Sequence, residues 1–316
     1  MGFLSNFVDE TATAKLRVRS SKDVFNDMLK TMSGSSLSYQ HGFNILYQIN
    51  AFHGVVDGIG TSTLVANTAL ALASLGENVL VIDTSILAPT QDTLLKTKIN
   101  EENPVDWFDL PYTKYSVLHP SSYNNKISVL SFKGKKHGVV DAIGVKDNKS
   151  LVEMALTELH NKFDVILIDC CQELTAVNTT CLQMANKVYQ VWNDSPTVLE
   201  NVDAYIDNCV TLSCSLDKMR KVIYSRITNQ VMGSMDALLS EYRCKKLCEL
   251  YNSEEIYNII CQDKPLFQIA SNDVLVEAYT AGIIAIACDI LGIDLEKELK
   301  KAEEEENKGK KKKKEA

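Results

Sequence analysis

From Val56 to Thr63 the chain reads Val-Asp-Gly-Ile-Gly-Thr-Ser-Thr, two glycines followed by three hydroxyl side chains. Gly58 and Gly60 let the backbone turn sharply and approach a ligand closely. A helix opening at Thr61 would point its free N–H groups and positive dipole end at the same spot, which is phosphate-binding chemistry. Ser62 offers a hydroxyl to magnesium, and Thr61 and Thr63 add hydrogen-bond donors. Two further oxygen groups, Asp83 and Asp169, end apolar runs and could face the same metal. A cation is missing: the loop carries Asp57 and no lysine.

The flanking segments can position such a loop. Ile45 to Phe52 is rich in apolar, aromatic and β-branched residues and short enough for a buried strand. Thr61 to Leu75 repeats Leu64, Val65, Thr68, Leu72 and Leu75 at helical spacing, and Gly76 follows as a left-handed cap. Val79 to Asp83 is the next apolar strand, which completes a strand, turn, helix and strand of about thirty residues. Phe163 to Asp169 predicts a second strand ending in aspartate. In a parallel sheet both carboxylates would lie at the carboxyl edge, where open α/β sheets bind ligands. The alternation continues through a helix over Pro89–Lys96, a strand over Lys126–Phe132, a helix over Leu151–Asn161 and a strand over Val188–Trp192. A helix opened by Ser195-Pro196 follows, and Ser234–Tyr251 is expected to be helical. The fold class expected is α/β, a doubly wound, mostly parallel sheet flanked by helices.

These residues together resemble the ParA/MinD family of deviant P-loop ATPases, and within it the TadZ/CpaE-like positioning proteins. The family loop reads Lys-Gly-Gly-x-Gly-Lys-Ser/Thr-Thr and aligns with Val56–Thr63. Val79–Asp83 and Phe163–Asp169 match its two aspartate-ended strands. Val222–Arg226 resembles the strand that ends in Asn-Arg near the adenine. Ile269–Asp273, with Glu277, Ala278 and Gly282, resembles its closing segment. The resemblance implies a P-loop NTPase-like fold and ATP or ADP with magnesium as cofactor. It implies a nucleotide site of Gly58, Gly60, Thr61, Ser62, Thr63, Asp83, Asp169, Ser225 and Arg226, with Ser62 and Asp83 on the magnesium side when nucleotide binds. It also implies a homodimer that positions or partitions a cargo.

The departures bear on activity. Thr61 stands at the phosphate-contacting lysine, Val56 at the lysine that reaches across the dimer, and Ser85 at the water-orienting aspartate. Asp57 replaces a glycine, and Asp169-Cys170-Cys171 replaces the Asp-Thr-Pro turn. Phosphoryl transfer depends on positioning and charge neutralisation. Each lost charge-assisted hydrogen bond removes about 1.5–3 kcal/mol. The expectation is a non-catalytic or weakly active scaffold that holds nucleotide weakly or not at all. The alternative is an active partition ATPase whose lysine comes from elsewhere, with Lys96, Lys98 and Lys146 as candidates. A cluster-bearing relative would need a cysteine loop that the chain lacks.

Composition sets wider bounds. The chain has 316 residues, 45% hydrophobic and 23% charged, enough for one large core. It divides into an arm over residues 1–43 with a short helix after Ser20-Ser21, a nucleotide-fold unit over 44–295, and a charged, disordered tail over 296–316. The tail holds nine lysines and seven acids, so the net charge of −8 leaves about −10 for the rest. An acidic body disfavours broad DNA binding. The Lys310–Lys314 run is where DNA or an acidic membrane would touch. No run of eighteen apolar residues is present, and Met1–Val8 lacks the basic region of a signal peptide. Nine cysteines, an odd number all from Cys170 onward, point to reduced thiols and a cytoplasmic setting. Cys170-Cys171 and Cys244-x-x-x-Cys248 read as small buried hydrophobes rather than metal ligands. The five histidines are scattered, with no spacing that suggests nucleophilic catalysis.

Overall fold

The computed structural model describes residues 49–86, 88–99, 117–132, 148–212, 214–227, 232–262, 266–268 and 273–294. The N-terminal arm, Lys146, Ile269–Asn272 and the lysine tail lie outside these residues.

Eight strands form one sheet: β1 (Ile49–Gly54), β2 (Val79–Asp83), β3 (His119–Pro120), β4 (Ile127–Leu130), β5 (Val165–Cys170), β6 (Lys187–Trp192), β7 (Lys221–Ile227) and β8 (Lys245–Tyr251). Their order is β3-β4-β2-β5-β1-β6-β7-β8. Every pairing is parallel except β3 with β4. Strands β2 and β5 are apolar up to Asp83 and Asp169 because both faces are covered. Their side chains alternate between two cores: Leu80, Ile82, Ile166 and Ile168 enter one, Val79, Val81, Val165 and Leu167 the other.

Among the described residues, eight helices flank the sheet: α1 (Thr61–Ser74), α2 (Gln91–Leu94), α3 (Asn148–Leu159), α4 (Ala176–Met184), α5 (Pro196–Thr211), α6 (Met232–Glu241), α7 (Glu254–Cys261) and α8 (Val274–Leu291). Helices α3 to α6 pack on one face and α1, α7 and α8 on the other. The doubly wound expectation holds. Helix α1 is buried from Leu64 to Ala73, because it lies between the sheet and α8, so it is apolar on most of its circumference. Gly76 closes it with φ 101°. Ser195 caps α5 by accepting from Val198 N, with Pro196 at the first helical position, as the sequence predicts.

Helix α8 has 18 residues and a mean hydropathy of 1.9, enough by length and composition to cross a membrane. Its surroundings are those of a core helix. It packs on α1 and β8, and a Cβ added at Gly282 would collide with the Leu250 side chain.

One segment differs from expectation. Ser234–Tyr251 is helical only to Glu241 and then becomes edge strand β8. Arg243, with φ 53°, reverses the chain, and Lys245 N donates to Arg220 O at 2.7 Å to begin pairing with β7. Helix formers such as Lys245, Lys246, Leu247 and Glu249 are held extended by that pairing, a tertiary contact overriding local propensity. Cys244 and Cys248 consequently pack toward opposite cores of the sheet.

Candidate functional site

The topology places β1 beside β6, and the connection from β1 runs toward β2 while that from β6 runs toward β7, so the two part in opposite directions and open a crevice at the carboxyl ends. The loop from Val55 to Gly60 fills that switch point. Gly58 and Gly60 adopt φ 72° and 96°, the left-handed values that glycine takes without strain. Gly60 is the N-cap of α1, so the first amides of α1 face the crevice. A cleft of about 260 Å³ results, lined by the loop with Asp83, Ser85, Asp169 and Arg226.

Eight of the nine expected nucleotide-site residues line this one cleft: Gly58, Gly60, Thr61, Ser62, Thr63, Asp83, Asp169 and Arg226. Ser225 sits behind the loop, where its hydroxyl donates to Ile59 O at 2.8 Å. Arg226 Nη1 donates to Gly58 O at 2.6 Å. Arg226 interrupts the β7–β8 register with φ 55°, and this irregularity turns its side chain toward the loop. A Cβ on Gly60 would lie 3.1 Å from both Ser225 Oγ and Arg226 Nε. The strand end thus braces the loop through both of these side chains.

Asp83 and Asp169 are register partners on β2 and β5, 1% and 5% exposed. Asp83 accepts from the amides of Ser85 at 2.9 Å, Thr90 at 2.7 Å and Gln91 at 3.0 Å. Burial, then the neighbouring Asp169, pushes its carboxyl up to about 7 against the pull of those amides. Asp169 is raised by burial too, opposed by Gln91 and the Ser62 hydroxyl. These carboxylates and the Ser62 hydroxyl make an oxygen set that suits magnesium. The same surroundings suit a triphosphate poorly. Among the described residues, the cleft lining holds Asp57, Asp83 and Asp169 but only one cation, Arg226. Asp57 is exposed at the mouth.

Of the lysines considered as replacements, the two among the described residues lie elsewhere. Lys96 Nζ stands 5.4 Å above the Tyr123 ring, and neither Lys96 nor Lys98 lines the cleft.

Gln91 is the site residue that the sequence did not reveal. It opens α2, is fully buried, and its Nε2 donates to Asp169 Oδ2 at 2.7 Å and to Ser62 O at 2.9 Å. A glutamine at the start of a short expected helix gives no sign of where its amide will point. His53 was also silent. Its Nε2 donates to Cys171 O at 3.1 Å, which leaves Nδ1 to accept from the Tyr205 hydroxyl at 3.2 Å. Burial lowers its pKa to about 4, so the ring is neutral beneath the loop.

A family model described as an AAA domain matches residues 48–221, more than half of the chain. The chain belongs to the ParA/MinD family of P-loop ATPases. Among solved structures, the MinD cell division protein of Aquifex aeolicus is similar at TM-score 0.60 and 19% identity, covering 78% of this chain and 97% of that one. The septum site-determining protein MinD of Pyrococcus horikoshii, solved with Mg-ADP, is similar at TM-score 0.61 and 16% identity, covering 77% and 95%. The ParA family ATPase of Chlorobium tepidum is similar at TM-score 0.63 and 13% identity, covering 75% and 99%. At these identities the likeness is one of fold. No curated protein sequence matches the chain. Within a ParA/MinD-family sheet, the loop and both strand-end aspartates of this chain occupy one crevice, and its loop is without lysine.

Proposed function

We propose that this ParA/MinD-family protein is a positioning or partition scaffold that does not hydrolyse ATP efficiently. The observation that carries the reading is the charge of the cleft: three carboxylates face a glycine loop whose only neighbouring cation, among the described residues, is Arg226. An ATP tail carries several negative charges, and water-excluded carboxylates repel it unless a metal intervenes. Ser85 at the water-orienting position accepts no proton as a carboxylate would. Magnesium, if bound with nucleotide, would sit by Ser62 and Asp83 and offset part of that repulsion. Residues 44–295 would form the dimerising body, through contacts other than a lysine at Val56. The arm over 1–43 and the Lys310–Lys314 run remain for partner, DNA or acidic lipid, in a cytoplasmic setting.

Two lost charge-assisted contacts predict nucleotide binding weakened by about 3–6 kcal/mol, roughly two to four orders of magnitude. Calorimetric titration with ATP and ADP in magnesium, paired with a phosphate-release assay, tests this. Weak or absent heats with no turnover are expected. Tight ATP binding with steady phosphate release would overturn the reading in favour of an active partition ATPase.

A further inference from the structure

We propose that the Gln91 carboxamide is the positioning group of the phosphate corner, a neutral buried tether that holds the loop and both aspartates together without a bound cation or nucleotide. Three separate parts of the site meet at this one residue. Its backbone amide donates to Asp83 Oδ2 at the end of β2. Its side-chain Nε2 donates to Asp169 Oδ2 at the end of β5 and to the Ser62 carbonyl in the first turn of α1.

The orientation of the amide is fixed by chemistry. The Ser62 carbonyl can only accept, as can the ionised Asp169 carboxylate, so a flipped amide would set its oxygen against oxygen. The price is visible at the other end, where Gln91 Oε1 is buried with no hydrogen-bond partner. A leucine or methionine would fill the same space and leave no orphaned acceptor. The residue type is therefore explained by its NH2 group and not by packing. That group gives Asp169 a donor where, among the described residues, no lysine lines the cleft and its one arginine, Arg226, donates to the Gly58 carbonyl instead. It also joins α2 to α1 across the crevice, which fixes where Ser62 stands relative to the two carboxylates.

The tether holds whether or not nucleotide binds. Titration with ATP therefore tests the functional reading, and hydrogen exchange on the nucleotide-free full chain tests Gln91. Two variants of similar shape separate a tether from a space-filler. Gln91→Met removes the donor, and Gln91→Glu replaces it with a carboxylate beside Asp169 and Asp83. Both are expected to speed exchange of the Leu64 to Ala66 amides at least tenfold while the α5 amides keep their rates. Adding magnesium chloride should restore protection in Gln91→Glu, where a cation can bridge the carboxylates, and not in Gln91→Met. Unchanged α1 exchange in Gln91→Met, equal loosening of α1 and α5, or an identical magnesium response in the two variants would overturn the tether. If neither variant folds, the side-chain NH2 signals of Gln91 in the unmodified protein decide. Slowly exchanging, separately shifted protons support the tether, and a freely exchanging amide overturns it.

Discussion

The molecule holds aspartates at both edges of its sheet, half-buried at one and buried at the other, and treats them in opposite ways. At the amino edge, Asp289 of α8 receives Lys187 Nζ at 3.2 Å, Lys221 Nζ at 3.0 Å and the Tyr189 hydroxyl at 2.8 Å. Burial alone would raise the Asp289 pKa, but the two lysines and the tyrosine outweigh it and hold the carboxyl below its usual value. At the carboxyl edge, Asp83 and Asp169 stand side by side with amide and hydroxyl donors, and both are raised. The fold can therefore place lysines beside a half-buried carboxylate. Among the described residues no lysine stands at the phosphate corner, which is the place where the family's chemistry needs one.

The contrast predicts substitutions of opposite sign. Asp289→Asn should have the largest effect, because it removes the one charge that two partly buried lysines share, although Lys187 Nζ keeps its hydrogen bond to the Asp289 carbonyl. Breaking a fully buried pair removes about 3–5 kcal/mol. Lys187 and Lys221 side chains are 20% and 33% exposed, so a loss of about 2–4 kcal/mol is expected after allowing for solvent. Urea midpoints at constant m-value measure it. A change within experimental scatter would remove the contrast, leaving Asp289 no better held than the phosphate-corner pair.

Supplying the phosphate corner with the missing charge comes next. Thr61→Lys should tighten ATP binding by about 1.5–3 kcal/mol, roughly tenfold to a hundredfold, read by calorimetry in magnesium. Thr61 is partly exposed and lines the cleft, so the longer side chain has room to extend. No gain in affinity would mean that Asp57 or the loop's own geometry, rather than the lost lysine, limits the site.

Asp169→Asn is expected to be a smaller effect in the stabilising direction. The asparagine oxygen still accepts from Gln91 Nε2, while one of two adjacent buried charges disappears. A gain of about 1–2 kcal/mol at pH 8 is expected from thermal or urea unfolding. A loss comparable to that of Asp289→Asn would show that the pair is held as an ion site despite its surroundings.

These sites were unequally legible in the sequence. The loop and the two aspartate-ended strands could be read because each is continuous: Val79–Asp83 and Phe163–Asp169 announce a buried strand and its carboxylate in one stretch. The grouping of Gly58, Gly60, Ser62, Asp83 and Asp169 then followed from the parallel order of β1, β2 and β5. The Asp289 cluster gave no such sign. Lys187 and Lys221 precede it by about a hundred and about seventy residues, and only the packing of α8 across the sheet brings them together. Gln91 was invisible for a subtler reason, since its role depends on a side-chain orientation that periodicity does not encode. β8 was misread because its residues favour a helix locally and are drawn extended by β7.

Acid titration gives the smallest net effect, because the phosphate corner contains opposing groups. Asp83 has a folded pKa of about 7, above its unfolded value near 4. The folded state binds that proton more tightly, so stability falls as pH rises from about 4 to about 7. Glu77, pushed up to about 7 by burial and by Asp164, acts in the same direction. His53 has a folded pKa of about 4, below the unfolded 6.5, so stability rises with pH between those values. One imidazole offsets only one of the raised carboxylates up to about pH 6.5, and above it only the carboxylates remain. The unmodified chain should therefore lose stability gradually from about pH 4 and more steeply from pH 6.5 to about 7.5. His53→Gln, which preserves a donor for Cys171 O and an acceptor for Tyr205, should remove the opposing slope and steepen the decline between about pH 4 and 6.5. Asp289, held low, contributes its stability above pH 4 and loses it only at lower pH, so Asp289→Asn should shift the whole curve without bending it there. A profile for His53→Gln that climbs with pH from 4 to 7 would mean that the carboxylates at β2 and β5 are matched by cations after all, and the two edges of the sheet would be alike.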